Sequence, residues 1–290
     1  MHHLLPIPPT SIASGFTTST TLARDIPVLT LVNLSDDALR VHKSSSRLPH
    51  PLVSPPKPPP SQEKCDFVAW EAFYPKGSIN PSSAVPGGFS FYLSGSQSFS
   101  NALGEAKEVV MSYEVLFAEG FEWVKGGKLP GIFGGTGDLA YKCSGGRKDD
   151  RCKCFDLRLM WRQSGQGELY AYLPLTPNNT SRLLAVPSSK QNPDYGFSVG
   201  RGLFSFPAGQ WTTVAERVRL NDVGQENGEV EVYIDGVSMI RVHGLTLRDE
   251  TAPHVKGMHF QTFFGGSSPE WASTKDQRAW FAGISGAILT

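Results

Sequence analysis

The chain has no excess of charge of either sign: across 290 residues, 27 lysines and arginines face 27 aspartates and glutamates. No global field therefore recruits a nucleic acid or an anionic membrane, and any affinity for a polyanion has to be local. Hydrophobic runs approaching the roughly 20 residues of a membrane span are also missing. The apolar piece from Ile26 to Val32 reads instead as a transient strand or a partner contact. The start lacks a cationic stretch followed by an apolar one, so no secretory signal is visible. Cysteine is sparse, with Cys65, Cys143, Cys152 and Cys154 at spacings that do not suit zinc, and no metal or cofactor is expected. A disulfide from Cys143 to Cys152 or Cys154 is the better reading if the chain is oxidised. No G-x-S-x-G elbow occurs, which argues against a serine hydrolase. No long stretch shows the 3.6-residue period of a helix.

What is present falls into two parts. Residues 1–64 carry proline runs (Pro6 to Pro9 and Pro51 to Pro60), Ser/Thr-rich stretches and few aromatics. Such a segment is expected to stay a disordered arm, because it buries too little apolar surface to offset its ordering entropy. Residues 65–290 read as successive short strands with glycine and proline between them. Asp235-Gly236 between two alternating arms is a strong hairpin signal. The pattern predicts one all-β domain, a two-sheet antiparallel sandwich of the β-jelly-roll kind.

Two stretches concentrate chemistry. Phe121 to Gly135 reads FEWVKGGKLPGIFGG and holds Lys125 and Lys128 in a glycine- and proline-fixed frame. Phe155 to Tyr172 reads FDLRLMWRQSGQGELYAY, two period-two arms around a polar loop at residues 163–167. Alternation puts Phe155, Leu157, Leu159 and Trp161 on one face with Leu169, Ala171 and Leu173. Asp156, Arg158, Met160 and Arg162 share the other with Glu168, Tyr170 and Tyr172. Setting Arg162 across from Glu168 pairs Met160 with Tyr170 and Arg158 with Tyr172. An ordinary solvated sheet face has a similar pattern, but tyrosines beside arginines are unusual there.

These motifs, VKGGKLPGIFGG, RLMWR and GELYAY, together with GRGLFSFPAGQW (Gly200 to Trp211) and FQTFFGGSSPEWA (Phe260 to Ala272), resemble polysaccharide lyase family 14. That family contains alginate and glucuronan lyases with a β-jelly-roll fold, and the likeness covers most of residues 65–290. The resemblance implies a lyase acting on a β-1,4-linked polyuronide, an acidic polysaccharide, and favours secretion. It places the family's lysine on Lys128, with Lys125 as the less favoured candidate, its arginine on Arg158 and its tyrosines on Tyr170 and Tyr172. Two residues before the arginine the family's characterised alginate lyases carry a serine. This chain has Asp156 instead, which implies a different substrate or a supporting role beside Arg158.

A uronate lyase removes the proton at C5 and expels the oxygen at C4, and a fixed cation stabilises charge building on the neighbouring carboxylate. Lys128 or Arg158 would be that cation. A tyrosine ordinarily titrates near pH ~10, and adjacent cations are expected to lower that value so that Tyr170 or Tyr172 acts as base, with the same or the other tyrosine as acid. Lys125, Asp156, Arg162, Glu168, His259 and Gln261 are expected to contact substrate, and Trp211 and Trp271 are candidates for stacking on sugars. The competing reading is a non-catalytic carbohydrate-binding module of the same fold. A monomer is expected.

Overall fold

The computed structural model describes residues 2–62 and 67–290; Cys65 and the expected domain boundary beside it lie outside the described residues. Strands β1 (Ile12–Thr17), β2 (Leu29–Leu31), β3 (Leu52–Val53) and β4 (Ala69–Tyr74) come first. Then follow β5 (Phe89–Leu93), β6 (Glu108–Phe117), β7 (Gly126–Gly135), β8 (Cys154–Arg162), β9 (Gln166–Tyr172) and β10 (Lys190–Gln191). The series ends with β11 (Phe197–Ser205), β12 (Trp211–Arg219), β13 (Gly228–Ile234), β14 (Val237–Leu245), β15 (His254–Phe264) and β16 (Gln277–Leu289). Three short helices, α1 (Thr20–Asp25), α2 (Gln97–Ala102) and α3 (Pro177–Leu184), are peripheral. Among the described residues no helix is long and apolar enough to cross a membrane.

The strands form two sheets, as the jelly-roll reading expects. One runs β14-β13-β12-β6-β16-β1-β2, with β4 on β16 and β3 on β4; the other runs β10-β11-β9-β8-β7-β15-β5. Pairing is antiparallel except between β1 and β2. The two sheets bury one another's inward residues: Leu157, Leu159 and Trp161 of β8 and Leu169 and Ala171 of β9 meet Met111, Tyr113 and Val115 of β6 in one apolar core. The Asp235-Gly236 hairpin forms as read, with both residues at positive φ and Ile234 paired to Val237.

Two expectations need correction. The β8–β9 register pairs Arg158 with Tyr170 and Asp156 with Tyr172, two residues away from the expected pairing. The cause is the turn: Ser164 and Gly165 both adopt positive φ, so the loop closes over residues 163–165 and Gln166 already belongs to β9. A slip of two keeps every side chain on its face, so the division into core and outward residues survives.

The second correction concerns the N-terminal segment, which packs against the domain. β1 pairs with β16, and Leu4, Leu5, Ile7, Leu22, Ile26 and Leu29 cover Val110, Ala215 and Ala287 on the outer face of the first sheet. Strand β2 lies inside the apolar piece taken as a transient strand. The proline run does not float either, since β3 pairs with β4 and Trp211 Nε1 donates to the Lys57 carbonyl at 3.0 Å. The apolar residues that order this segment are few, and they work because a ready-made sheet face supplies the rest of the buried surface.

Candidate active site

The site begins with a defect in β7. Pro130 has no N–H to give a ladder, and proline inside a sheet is confined to edges and bulges. Here the register with β8 shifts between Leu129 and Gly131. The backbone groups beside the bulge are satisfied from the opposite sheet, across the core. The Tyr113 hydroxyl donates to the Pro130 carbonyl at 3.2 Å, and the Ile132 N–H donates to Glu216 Oε2 at 2.7 Å. Burial holds the Glu216 carboxyl far above the usual carboxylate range, more than that hydrogen bond lowers it. Leu129 and Ile132 point into the core, which turns Lys128 outward. Gly131 sits between Arg158 on β8 and His259 on β15. A Cβ there would come 2.1 Å from the Leu157 carbonyl oxygen, so the position excludes a side chain and leaves room for its neighbours to reach across.

On the outward face of β7, β8, β9 and β15, the Lys128 amine lies 3.6 Å from the Tyr170 ring centroid and 5.5 Å from that of Tyr172. It donates to Met160 Sδ at 3.1 Å. The two tyrosine rings are 5.4 Å apart. Asp156 Oδ2 meets His259 Nδ1 at 2.9 Å and Arg158 Nε at 3.2 Å, the latter an ion pair without hydrogen-bond alignment. Arg158 donates to Gln261 Oε1, and Gln261 donates to Ser90 Oγ at 2.8 Å. His259 stacks on Tyr92 with centroids 4.2 Å apart. Glu168, fully buried, accepts from Arg162, Arg201 and Ser198.

These groups are almost closed off from water: Lys128, Asp156, Arg158, Tyr170, Tyr172 and His259 are each between 3% and 7% exposed. Burial lowers the pKa of Lys128 well below the ordinary lysine value, and Arg158 and Arg162 push the same way. Glu168 and Asp156 act upward and only partly offset that lowering. Burial raises both tyrosines above the usual phenol range, and nearby Arg162 and Arg158 only partly offset it. The expectation that adjacent cations lower the tyrosines is therefore corrected, because desolvation outweighs charge here. For Asp156 burial acts upward, but Arg158 and His259 together hold the carboxyl below its usual range. Burial and Arg158 hold His259 below its usual value, so the imidazole is neutral at pH 7.

The structure brings together Lys128, Arg158, Tyr170, Tyr172, Asp156, His259 and Gln261, with Arg162 and Glu168 alongside. Asp156 is held by Arg158 and His259, which offset part of its negative charge. Glu168 is occupied by two arginines and a serine of the protein itself. Lys125 stands apart: its half-exposed amine pairs with Glu270 at 2.6 Å and lies 5.7 Å from the Trp271 ring. Trp211 and Trp280 belong to the other sheet. Sequence reasoning missed Arg201, although it lies in the quoted GRGLF motif, and Tyr92 and Arg151.

The expected disulfide forms between Cys143 and Cys154, and Cys152 is a free, exposed thiol among the described residues. The bridge ties the 143–153 loop to the first residue of β8. A cavity of about 230 Å³ lined by His3, Ser19, Ser61 and Glu114 opens elsewhere, against the first sheet. The outward face of the second sheet, with its convergent titratable groups, is the better candidate for chemistry. No group of three or more His, Cys, Asp or Glu side chains among the described residues is disposed to hold a metal ion.

A family model described as Polysaccharide lyase 14 matches residues 63–284. Among solved structures, the marine PL-14 alginate lyase from Aplysia kurodai is 32% identical, with a TM-score of 0.70 over 86% of this chain and 90% of that one. The alginate lyase vAL-1 from Chlorella virus is 18% identical, with a TM-score of 0.65 over 96% and 99% of the two chains. Alginate lyase Aly36B is 21% identical, with a TM-score of 0.56 over 76% and 80%. The last two likenesses concern the fold alone. A search of curated proteins finds no match.

Proposed function

The chain belongs to polysaccharide lyase family 14, and from that premise we propose that it cleaves alginate, a 1,4-linked polyuronide, on the outward face of β7, β8 and β9. It is a carbon–oxygen lyase acting on polysaccharides. The substrate reading leans on the 32% likeness to an alginate lyase, and the observation that carries the site is the convergence of Lys128, Arg158 and Tyr170.

In the proposed reaction Arg158, permanently charged, neutralises the uronate carboxylate and stabilises the charge that develops when the C5 proton leaves. The base needs a free lone pair. Lys128 suits that role better than either tyrosine, because burial disfavours its charged form while it disfavours a phenolate on Tyr170. Lys128 takes the C5 proton, the C5–H electrons form the C4–C5 double bond, and the C4–O bond breaks. Tyr170, still protonated, gives its proton to the departing oxygen. Lys128 then gives its proton up to water and the Tyr170 phenolate regains one from water, which restores both groups. Asp156 and His259 hold Arg158 in place.

The test is incubation with polymannuronate, polyguluronate and glucuronan while absorbance of the new C4–C5 double bond is followed. Product from either alginate polymer that vanishes in Lys128→Ala with folding intact supports the reading. Binding without product in the wild type would leave a carbohydrate-binding module, and reducing ends without the chromophore would mean hydrolysis. Activity should fall as pH drops through the lowered pKa of Lys128, since protonation removes the base.

A further inference from the structure

The loop clipped by Cys143–Cys154 carries a buried cation that forms no ion pair among the described residues. Arg151 opens a short 3-10 turn after Asp150, whose left-handed backbone redirects the chain. Its side chain runs inward and is 3% exposed, with the guanidinium carbon 5.1 Å from the Tyr172 ring centroid. Nη2 donates to the Arg147 carbonyl. Nε and Nη1 are buried without a hydrogen-bond partner among the described residues. No carboxylate among the described residues pairs with it, unlike Arg158, Arg162 and Arg201, which hold Asp156 or Glu168. A buried guanidinium with two idle donors is costly, and such a group in a native structure calls for an explanation.

Arg158 lies against the same ring, its guanidinium carbon 5.8 Å from the Tyr172 centroid. The two guanidinium groups therefore lie close enough for one oligosaccharide to reach both. Arg158 is bound to Asp156 and Gln261, whereas Arg151 keeps Nε and Nη1, on either side of the nitrogen given to Arg147, for single charge-assisted hydrogen bonds to carboxylate oxygens. We propose that Arg151 is a carboxylate-binding residue of the substrate site, taking a uronate carboxylate of the bound chain other than the one held by Arg158. This rests on the polyuronide reading of the same site, and it adds a second acidic sugar to what the site recognises. The cysteine bridge fixes the loop so that this donor pair stays beside Tyr172.

The experiment compares wild type with Arg151→Gln and Arg151→Lys on polymannuronate, as free acid and as partial methyl ester. Losing charge-assisted hydrogen bonds should raise KM for the acid about 10- to 100-fold, with kcat changed less than about threefold. Arg151→Lys should fall between the two. On the ester the KM ratio of mutant to wild type should shrink, because fewer carboxylates remain to be lost. The melting temperature of Arg151→Gln should fall little, since only the bond to the Arg147 carbonyl and the contact with the Tyr172 ring are lost and no ion pair among the described residues is broken. A wild-type KM in Arg151→Gln, or an equal rise on acid and ester, overturns the proposal. If the wild type cleaves no polyuronide, the lyase reading fails, and calorimetry with trimannuronate still decides this one. Weaker binding by Arg151→Gln upholds it, and equal binding or none overturns it.

Discussion

Two faces of the molecule carry clustered charge, and they are built on opposite rules. On the outer face of the first sheet Arg217 sits among Glu108, Glu229 and Glu231, with Arg219 and Arg241 outside. That is three arginines against three glutamates. On the outward face of the second sheet, among the described residues, Arg158 pairs with Asp156 and Arg162 and Arg201 pair with Glu168, while Arg151 pairs with no carboxylate. Four against two leaves an excess of positive charge, even with Lys128 neutral. The first array is partly exposed and balanced, and several of its members are long side chains in water. The second is largely buried, and Arg151 Nε, Arg162 Nε and Asp156 Oδ1 have no hydrogen-bond partner. Charge content alone therefore does not mark a site; unmatched charge held away from water does.

The contrast can be broken by mutation, and the largest effect should come from the reacting pair. Lys128→Ala or Tyr170→Phe is expected to lower kcat by about 10²- to 10⁴-fold, read from the unsaturated-product chromophore. Arg217→Ala should leave kcat unchanged. Next comes Asp156→Ala, which strands Arg158 and His259 and should destabilise the fold by about 3–5 kcal/mol in urea unfolding. If the loss were no larger than that of an exposed pair, the distinction between the two faces would collapse.

Glu216 sharpens the comparison from behind the sheet. Glu216→Leu leaves the Ile132 N–H unpaired and should cost about 1–3 kcal/mol together with some kcat, because the bulge beside Lys128 loses its support. Glu216→Gln keeps an acceptor for that N–H and should retain activity. Its stability effect has a defined sign. A carboxyl whose folded pKa is raised contributes stability that is fully present below its unfolded pKa and is lost as pH rises through the folded value. The glutamine variant should therefore gain stability relative to wild type at pH 7 and little at pH 3, as thermal unfolding at the two pH values would show. The smallest effect belongs to Arg217→Ala, about 1 kcal/mol or less, shrinking further in high salt.

How much of this was legible in the sequence depended on the range of the forces involved. The faces of β8 and β9 follow from a period of two, so Asp156, Arg158, Tyr170 and Tyr172 were correctly grouped before any coordinates. Their register was not, because it hinges on the backbone of Ser164 and Gly165. The KLPG motif announced a special backbone but could not show that Tyr113 and Glu216 hold it from another sheet. The tyrosine pKa values ran opposite to expectation since burial is a property of the packed fold, invisible in a list of neighbours. Arg151 sits in a run of charged loop residues that reads as solvated, and only the flanking cysteines hinted that the loop is pinned.

The N-terminal packing has a practical consequence. Trimming the protein to the stretch that defines its family, residues 63–284, would remove β1 together with the end of β16 that it pairs with, Ser285 to Leu289, and uncover Val110 and Ala215. The remaining domain would keep every group assigned to chemistry and yet present an unprotected strand edge beside a greasy patch, the arrangement that drives sheets to stack into aggregates. A failure of such a shortened protein to stay in solution would then speak of lost shielding, and would say nothing against the catalyst it carries.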